Sequence, residues 1–177
     1  MTVNGHIQLA AALTYPLVEY LLDVNSFGMN IEQLYICITL ILIGSTFPDI
    51  DEPNSYIGNK LSFISYLIQA IGIKHRTLTH WLIVPLLLIS GAYYISSYYL
   101  FAFALGLFLH TIGDLITNTG IRGYFFPILP NTKIVLLPEI LRFDTFSITE
   151  TVINFCLFIL NAYLYSTLFL RFTDDLF

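Results

Sequence analysis

The stretch that decides the fold is LFAFALGLFLHTIGDLI, residues 100–116, an apolar run that contains one histidine and one acid. Its length is close to the roughly 20 residues that an α-helix needs to cross a bilayer. His110 and Asp114 are four residues apart, so on a helix they share one face with about 6 Å between their Cβ atoms. Two ionisable groups are costly inside a membrane, so the pair predicts a functional site or a simple hydrogen bond between the two side chains.

The composition of the whole chain is that of a membrane protein. Of 177 residues, 56% are hydrophobic and 11% are charged, and the mean hydropathy is +0.77, whereas a soluble globular domain is about 25% charged. The apolar runs lie at residues 7–24, 31–48, 78–96, 100–117 and 150–170. They predict an all-α, polytopic membrane helix bundle with about five transmembrane helices, formed as a single integral membrane domain over residues 1–177.

Two segments between the apolar runs are predicted to lie at the membrane surface. Residues 61–73, LSFISYLIQAIGI, are too short to span a bilayer comfortably, so we expect a short interfacial or re-entrant helix there. The segment 128–149 contains LPNTKIVLLPEILRF, which is amphipathic enough to lie on the inner leaflet.

The lysines and arginines orient the predicted bundle. Three of them lie in residues 49–77 and three in residues 118–149, and only Arg171 lies at the other end of a span. Because lysine and arginine are enriched in cytoplasmic loops, both segments are predicted to be cytoplasmic. The sequence therefore predicts a multi-pass protein of the inner (plasma) membrane, with its N-terminus in the cytoplasm and its C-terminus outside.

The histidines and several aspartates gather at this cytoplasmic face. Imidazole and carboxylate groups without a thiolate suit zinc, manganese or iron, with zinc favoured, and the number of carboxylates allows one or two divalent ions. The candidate metal ligands are His6, Asp49, Asp51, His75, His80, His110 and Asp114.

Some members of this set have structural alternatives. His6 lies near a terminus, where a solvated or capping histidine is common. Asp49 and Asp51 are flanked by prolines and can simply end a helix at the interface.

The stretch HRTLTH, residues 75–80, has its own structural alternative. Thr77 can cap the third helix, with Thr79 and His80 in its first turn. Two histidines five residues apart would point about 140° apart on one helix. We therefore expect His75 in the turn before the helix and His80 within it.

Several motifs, in order along the chain, resemble a known family. GH at 5–6, PDID at 48–51, HRTLTH at 75–80, HTIGD at 110–114 and the following Pro127 are similar to the YdjM-like family of LexA-regulated inner-membrane proteins, described as metal-dependent hydrolases. The resemblance implies a multi-spanning membrane protein in which the seven candidate ligands form a hydrolase-like metal site. Family members often have histidine directly after the aspartate pair, where this chain has Glu52; glutamate can still bind a metal or act as a base.

A catalytic site of this kind would hydrolyse its substrate with a metal-activated water. Asp51 or Glu52 would be the general base, and Lys74 and Arg76 would hold an anionic group. Asn118 either ends the fourth helix or contacts the substrate. A site at the depth of the headgroups favours a membrane lipid, or another lipid-linked or small anionic phosphoester, as substrate.

The alternative is a non-enzymatic membrane protein, either a metal transporter or sensor or a scaffold with a structural metal. Transporters place ionisable groups near the midplane, whereas here they gather at one face. A closed four-ligand site would favour a structural metal, and an open coordination position or two adjacent ions would favour catalysis.

Other classes of function are disfavoured by the sequence. The chain has no basic patch mixed with aromatic residues, so nucleic acid is not an expected partner. The HExxH motif of zinc proteases and the GxSxG motif of serine hydrolases are absent. No feature of the sequence fixes the oligomeric state.

Overall fold

The computed structural model describes the backbone of residues 1–24 and 30–174, and within these ranges it leaves out the side chains of 21–24 and 171–174. The side chain of Arg171, used above to orient the bundle, therefore lies outside the described residues. The described chain is mostly helical, as predicted. Its α-helices are α1 Val3–Val24, α2 Ile31–Gly44, α3 Tyr56–Lys60, α4 Ser62–Ala70, α5 Ile83–Tyr94, α6 Tyr98–Leu115 and α7 Ile148–Asp174.

Short irregular elements connect these helices. Three 3₁₀ helices cover Phe47–Asp51, Leu78–His80 and Glu139–Leu141. Between α6 and α7 the strands β1 (Ile121–Arg122) and β2 (Lys133–Ile134) form an antiparallel ribbon. The all-α prediction therefore describes the bundle but not this connection.

Prolines make two of the helices shorter than predicted. The run predicted at 31–48 ends as a helix at Gly44, and Pro48 lies at the start of the following 3₁₀ helix. The run predicted at 78–96 becomes helical only at Ile83, which places Pro85 in the first turn, where a missing N–H is tolerated. The prediction that His80 lies within this helix was therefore wrong.

The capping role considered for Thr77 was also wrong. Its side chain makes no cap hydrogen bond to the helix and instead donates to the carbonyl oxygen of Lys74. His75 lies in the turn before the 3₁₀ helix, as expected.

Within the described ranges, two helical segments are long and apolar enough to cross a membrane, Tyr98–Leu115 and Ile148–Leu170. Two further apolar helices are shorter, α2 with 14 residues and α5 with 12. At 1.5 Å per residue they measure about 21 and 18 Å, less than the roughly 30 Å of a hydrocarbon core. The structure thus supports a membrane protein with two candidate spans.

Helix α4 occupies the segment predicted to form a short surface helix. It begins at Ser62 and ends at Ala70, inside the predicted range 61–73. Phe63, Tyr66 and Leu67 are exposed on it. Apolar side chains exposed on a short helix are typical of an interfacial segment.

Helices α2 and α6 pack with their backbones in contact at two glycines. A Cβ atom added to Gly44 would lie 2.3 Å from the carbonyl oxygen of Phe103, and one added to Gly106 would lie 2.2 Å from that of Ile41. Small residues permit this approach between apolar helices. The contact places Ser45, directly after α2, against the buried face of α6.

Polar contacts join α1 to α7. The Asn161 amide donates to the backbone carbonyl and to the side-chain oxygen of Gln8, at 2.9 and 2.7 Å. Glu150, which is buried, accepts hydrogen bonds from the backbone N–H groups of Thr2 and Phe146, both at 2.6 Å. The N-terminal part of α1, which carries His6, is held in this way.

We predict that Gly106→Val destabilises the bundle by more than about 1–3 kcal/mol, because the new side chain must push two backbones apart. Gly91→Val on α5 is the matched control, since nothing lies within 4 Å of a Cβ atom there. Thermal unfolding of the detergent-solubilised variants measures the difference. Equal melting temperatures for the two variants would contradict this packing.

Candidate metal centre

The predicted ligands lie together at one end of the bundle. They come from the start of α1, the 3₁₀ helix after α2, the segment before α5 and the last turns of α6. Each has an imidazole nitrogen or a carboxylate oxygen within 3.6 Å of another member of the set. The set comprises His6, Asp49, Asp51, His75, His80, His110 and Asp114.

Four atoms converge at the centre of this cluster. The Nε2 atoms of His80 and His110 are 3.1 Å apart. Oδ1 of Asp49 lies 3.5 Å from each of these nitrogens. Oδ2 of Asp114 lies 3.4 Å from the His80 nitrogen and 3.6 Å from the His110 nitrogen. His80, His110 and Asp114 are buried, and Asp49 is 18% exposed.

Hydrogen bonds on the opposite side of each ring assign the tautomers. Nδ1 of His110 lies 2.7 Å from the carbonyl oxygen of Ser45, which can only accept, so Nδ1 carries a proton. The Thr79 hydroxyl donates to Oδ2 of Asp51, so it accepts from Nδ1 of His80 at 2.9 Å. In the neutral rings both Nε2 atoms therefore present lone pairs to the centre.

This arrangement fits a metal ion. The ligand atoms of His80, His110 and Asp114 all lie within 4.8 Å of one another, and Oδ1 of Asp49 lies beside the two nitrogens. Oδ2 of Asp114 is buried without a hydrogen-bond partner. Tetrahedral zinc with bonds of about 2.0–2.1 Å separates its ligand atoms by roughly 3.3 Å, and the five distances above range from 3.1 Å to 3.6 Å. Two nitrogens and two carboxylate oxygens are ligands that zinc, manganese and iron accept.

A proton is the alternative occupant of this cluster. Burial lowers the pKa of His80, but the carboxylates of Asp49 and Asp51, each 3.5 Å from a ring nitrogen, outweigh this effect and raise the pKa to about 9. Burial raises the pKa of Asp49, but the imidazole groups of His80 and His110, each 3.5 Å from its Oδ1, outweigh this effect and lower the pKa to about 2. A protonated His80 would place one donor among the acceptors, so metal and proton compete for the same position.

Asp51 is buried, and both of its carboxylate oxygens make hydrogen bonds. Oδ1 lies 2.8 Å from Nδ1 of His75, and Oδ2 accepts from the hydroxyl of Thr79 and from the backbone N–H of Arg76 at 3.2 Å. These hydrogen bonds outweigh the effect of burial and lower the pKa of Asp51. A carboxylate that holds the far side of two histidine rings is the usual second layer of a metal site.

His6 is stacked on His110, with 3.7 Å between the ring centroids and 13° between the planes. Its side chain is buried, and neither ring nitrogen has a hydrogen-bond partner. Nε2 of His6 lies 3.5 Å from Oδ1 of Asp114, too far for a good hydrogen bond. An unsatisfied buried polar atom costs about 1–3 kcal/mol, so His6 requires a ligand or a proton acceptor that the side chains around it do not supply.

Arg76 reaches into the cluster from a strained backbone. Its φ angle is +61°, in the left-handed region that side chains other than glycine rarely adopt. Its guanidinium donates to Oδ1 of Asp114 at 2.9 Å and to the carbonyl oxygen of Gly120 at 3.3 Å. The Met1 amino group lies 2.7 Å from the same Asp114 oxygen. One side of Asp114 is thereby neutralised while Oδ2 faces the centre.

Two predicted site residues contact residues outside the cluster, and a third is exposed. Glu52 accepts from the backbone and side chain of Asn54, at 3.1 and 3.0 Å. The side-chain amide of Asn118 donates to Asp144 at 3.0 Å, and the backbone carbonyl oxygen of Asn118 accepts from Lys133 at 2.7 Å. Lys74 is exposed, two residues before Arg76. Their assigned roles remain predictions.

The sequence reasoning did not find two groups that orient the ligands. Thr79 was considered only as part of a helical turn, although its position beside His80 was the available signal. Ser45 contacts His110 through its backbone carbonyl oxygen. Every residue has such a carbonyl, so the amino-acid sequence does not show which one meets the histidine.

Comparison with known proteins places the chain in a family. The family model for "YdjM inner membrane protein" matches residues 1–172. "Uncharacterized protein YvsG" of Bacillus subtilis is 31% identical over 107 residues, which cover 59% of this chain and 64% of that protein. No solved structure matches. Because the family model covers essentially the whole chain, this protein belongs to the YdjM inner membrane protein family.

Proposed function

We propose that this protein is a membrane-embedded, metal-dependent hydrolase that acts on a phosphoester of a lipid-linked or other anionic substrate. The observation that carries the proposal is the buried convergence of two imidazole nitrogens and two carboxylate oxygens beside an arginine. His80, His110, Asp49 and Asp114 would hold the metal. A divalent ion bound there supplies Lewis-acid activation of water and of the scissile bond.

Arg76 is the proposed binding group for the anionic part of the substrate. A guanidinium has five N–H donors, and the contacts to Asp114 and Gly120 leave further donors for an oxyanion. A left-handed backbone costs about 1–3 kcal/mol and is often retained where it positions a functional side chain. Lys74 lies exposed two residues away and adds a second positive charge.

Asp51 is proposed to position ligands rather than to act as the general base. It is fully buried and its oxygens accept from His75, Thr79 and the backbone of Arg76. A carboxylate in this state orients the imidazole rings and sets their tautomers. Thr79 transmits this orientation to His80.

The site is proposed to face the cytoplasm at the depth of the lipid headgroups. In this arrangement the five predicted spans contain α1, α2, α5, α6 and α7, and the residues that flank the shorter α2 and α5 complete those two spans. The N-terminus is inside and the C-terminus outside, as the distribution of lysine and arginine predicts. Exposed apolar residues on α4, such as Phe63 and Tyr66, support a surface in contact with lipid. A substrate could then enter from the membrane.

A structural metal is the second candidate function. His80, His110 and Asp114 are buried, as in a closed structural site. Asp49, with 18% of its side chain exposed, is the member of the four through which a water or substrate could approach.

The metal-loaded protein is expected to hydrolyse phospholipid headgroup esters in mixed micelles, with loss of turnover in chelator and in His110→Ala. Mass spectrometry of the released headgroup measures the reaction. Arg76→Ala should lower kcat/KM by about 10- to 100-fold, because charge-assisted contacts to an anion are lost.

Lys60→Ala is the control for Arg76→Ala, since Lys60 is an exposed cation on α3. Retained turnover in Arg76→Ala would contradict the role of this residue. An inactive wild type with a full complement of metal, on phosphodiester and phosphomonoester lipids alike, would favour the structural-metal candidate.

Thr79→Val should weaken metal binding by about 10- to 100-fold, because the ring of His80 loses the acceptor that fixes its tautomer. Thr79→Ser keeps the hydroxyl and should retain the wild-type affinity. Competition with a chelator of known affinity measures both values, and thermal unfolding of the metal-free proteins controls for a purely structural effect. Wild-type affinity in Thr79→Val would contradict the assigned tautomer.

A further inference from the structure

Two histidines lie beside the four central acceptor atoms without belonging to them. One group of potential ligand atoms comes from His6, Asp49 and His110, and another from Asp49, His75 and His80. In each group these atoms all lie within 4.8 Å of one another. The two groups share only Asp49, and each adds two histidines to it.

His6 is not explained by a single central ion. Its side chain is buried, both of its ring nitrogens are unpartnered, and it stacks on His110, so the two rings run side by side into the cluster. A buried imidazole without any hydrogen bond is rare, because burial removes its water. If His6 bound a metal ion, one of its two unpartnered ring nitrogens would be satisfied.

His75, like His80 and His110, makes a hydrogen bond through Nδ1. Its Nδ1 atom lies 2.8 Å from Oδ1 of Asp51, so Nε2 is the nitrogen left for a metal. Its side chain is 35% exposed, unlike those of His80 and His110. The side of the cluster that carries His75 is therefore open to water.

We infer that this site holds two divalent ions, with His6 and His110 as ligands of one and His75 and His80 as ligands of the other. Asp49 is shared, and Asp114, which lies against both His80 and His110, is the second shared carboxylate. The inference rests on the proposed metal-dependent function and specifies its form. Nitrogen and oxygen ligands select first-row ions such as manganese, iron or zinc.

Two ions are also the arrangement that suits the proposed substrate class. Pairs of metal ions recur in phosphatases and nucleases, where they stabilise the attacking and leaving oxygens. The side chain of His75 is 35% exposed, compared with 18% for Asp49, so this side of the cluster gives a substrate wider access than Asp49 alone.

Manganese is the probe for the test, because an exchange-coupled pair and an isolated ion give different electron paramagnetic resonance spectra. The purified full-length protein, loaded with Mn²⁺, is expected to contain two ions per chain and to give a coupled spectrum. His75→Ala and His6→Ala should each retain one ion and give the six-line spectrum of isolated Mn²⁺. Glu139→Ala, which removes an exposed carboxylate in the 3₁₀ helix Glu139–Leu141, is the control that keeps two coupled ions.

One uncoupled ion per chain in the wild type, or two coupled ions retained in His75→Ala, would overturn the inference. His75 is partly exposed, so its variant remains informative even if loss of the buried His6 prevents folding. If the protein binds one ion and still hydrolyses lipid esters, the inference of a second ion is wrong and the proposed hydrolase function stands. If the protein binds two coupled ions and hydrolyses no lipid ester, the proposed reaction is wrong and the two-ion site stands.

Discussion

The constraint on which the rest of the structure depends is the crowding of imidazole nitrogens and carboxylate oxygens buried together at the end of an apolar bundle. Nε2 of His80 and Nε2 of His110 lie 3.1 Å apart, with carboxylate oxygens of Asp49 and Asp114 beside them. Buried carboxylates are costly in a membrane protein unless a cation or a proton compensates them. Arg76 and the Met1 amino group contact Oδ1 of Asp114, and a metal ion or a proton can supply the charge that the atoms at the centre still need.

The surrounding structure holds the acceptors in place. The glycine contact between α2 and α6 brings the carbonyl oxygen of Ser45 to 2.7 Å from His110. On the other side, Asp51 holds His75 directly and His80 through Thr79. Each ring is thus held by a hydrogen bond at its Nδ1 atom. The lone pair on Nε2 therefore points to the centre, and metal binding needs no large rearrangement. Helix packing and site chemistry are linked at these contacts.

The sequence predicted the centre of the site better than its surroundings. The spacing of His110 and Asp114 predicted that they share a face, because helical periodicity alone determines this, and in the structure Nε2 of His110 lies 3.6 Å from Oδ2 of Asp114. The gathering of the other ligands followed from the positions of the helix ends. By contrast, the approach of two backbones and the carbonyl of Ser45 depend on packing between distant segments, and the sequence gives no direct signal for them.

Helix boundaries were predicted less well for a local reason. Pro48 and Pro85 interrupt hydrogen bonding, so apolar runs of similar length became helices of 14 and 12 residues. This shortening leaves Asp49, Asp51 and His80 in 3₁₀ helices outside the long helices, where their side chains can turn towards α6. The positioning role proposed for Asp51 has a related basis, since its neighbours Arg76 and Thr79 come from a segment folded back over it.

X-ray absorption spectroscopy of the purified protein tests the central claim most directly, because the spectrum reports the metal and its ligand atoms together. The account predicts a stoichiometric first-row metal with a nitrogen and oxygen shell, outer scattering from imidazole rings and no sulfur ligand. In His80→Ala/His110→Ala the imidazole scattering should fall and the metal content should drop. A protein without metal after loading with zinc, manganese or iron, or a metal bound by sulfur, would contradict the account and leave the cluster as a proton-bridged network.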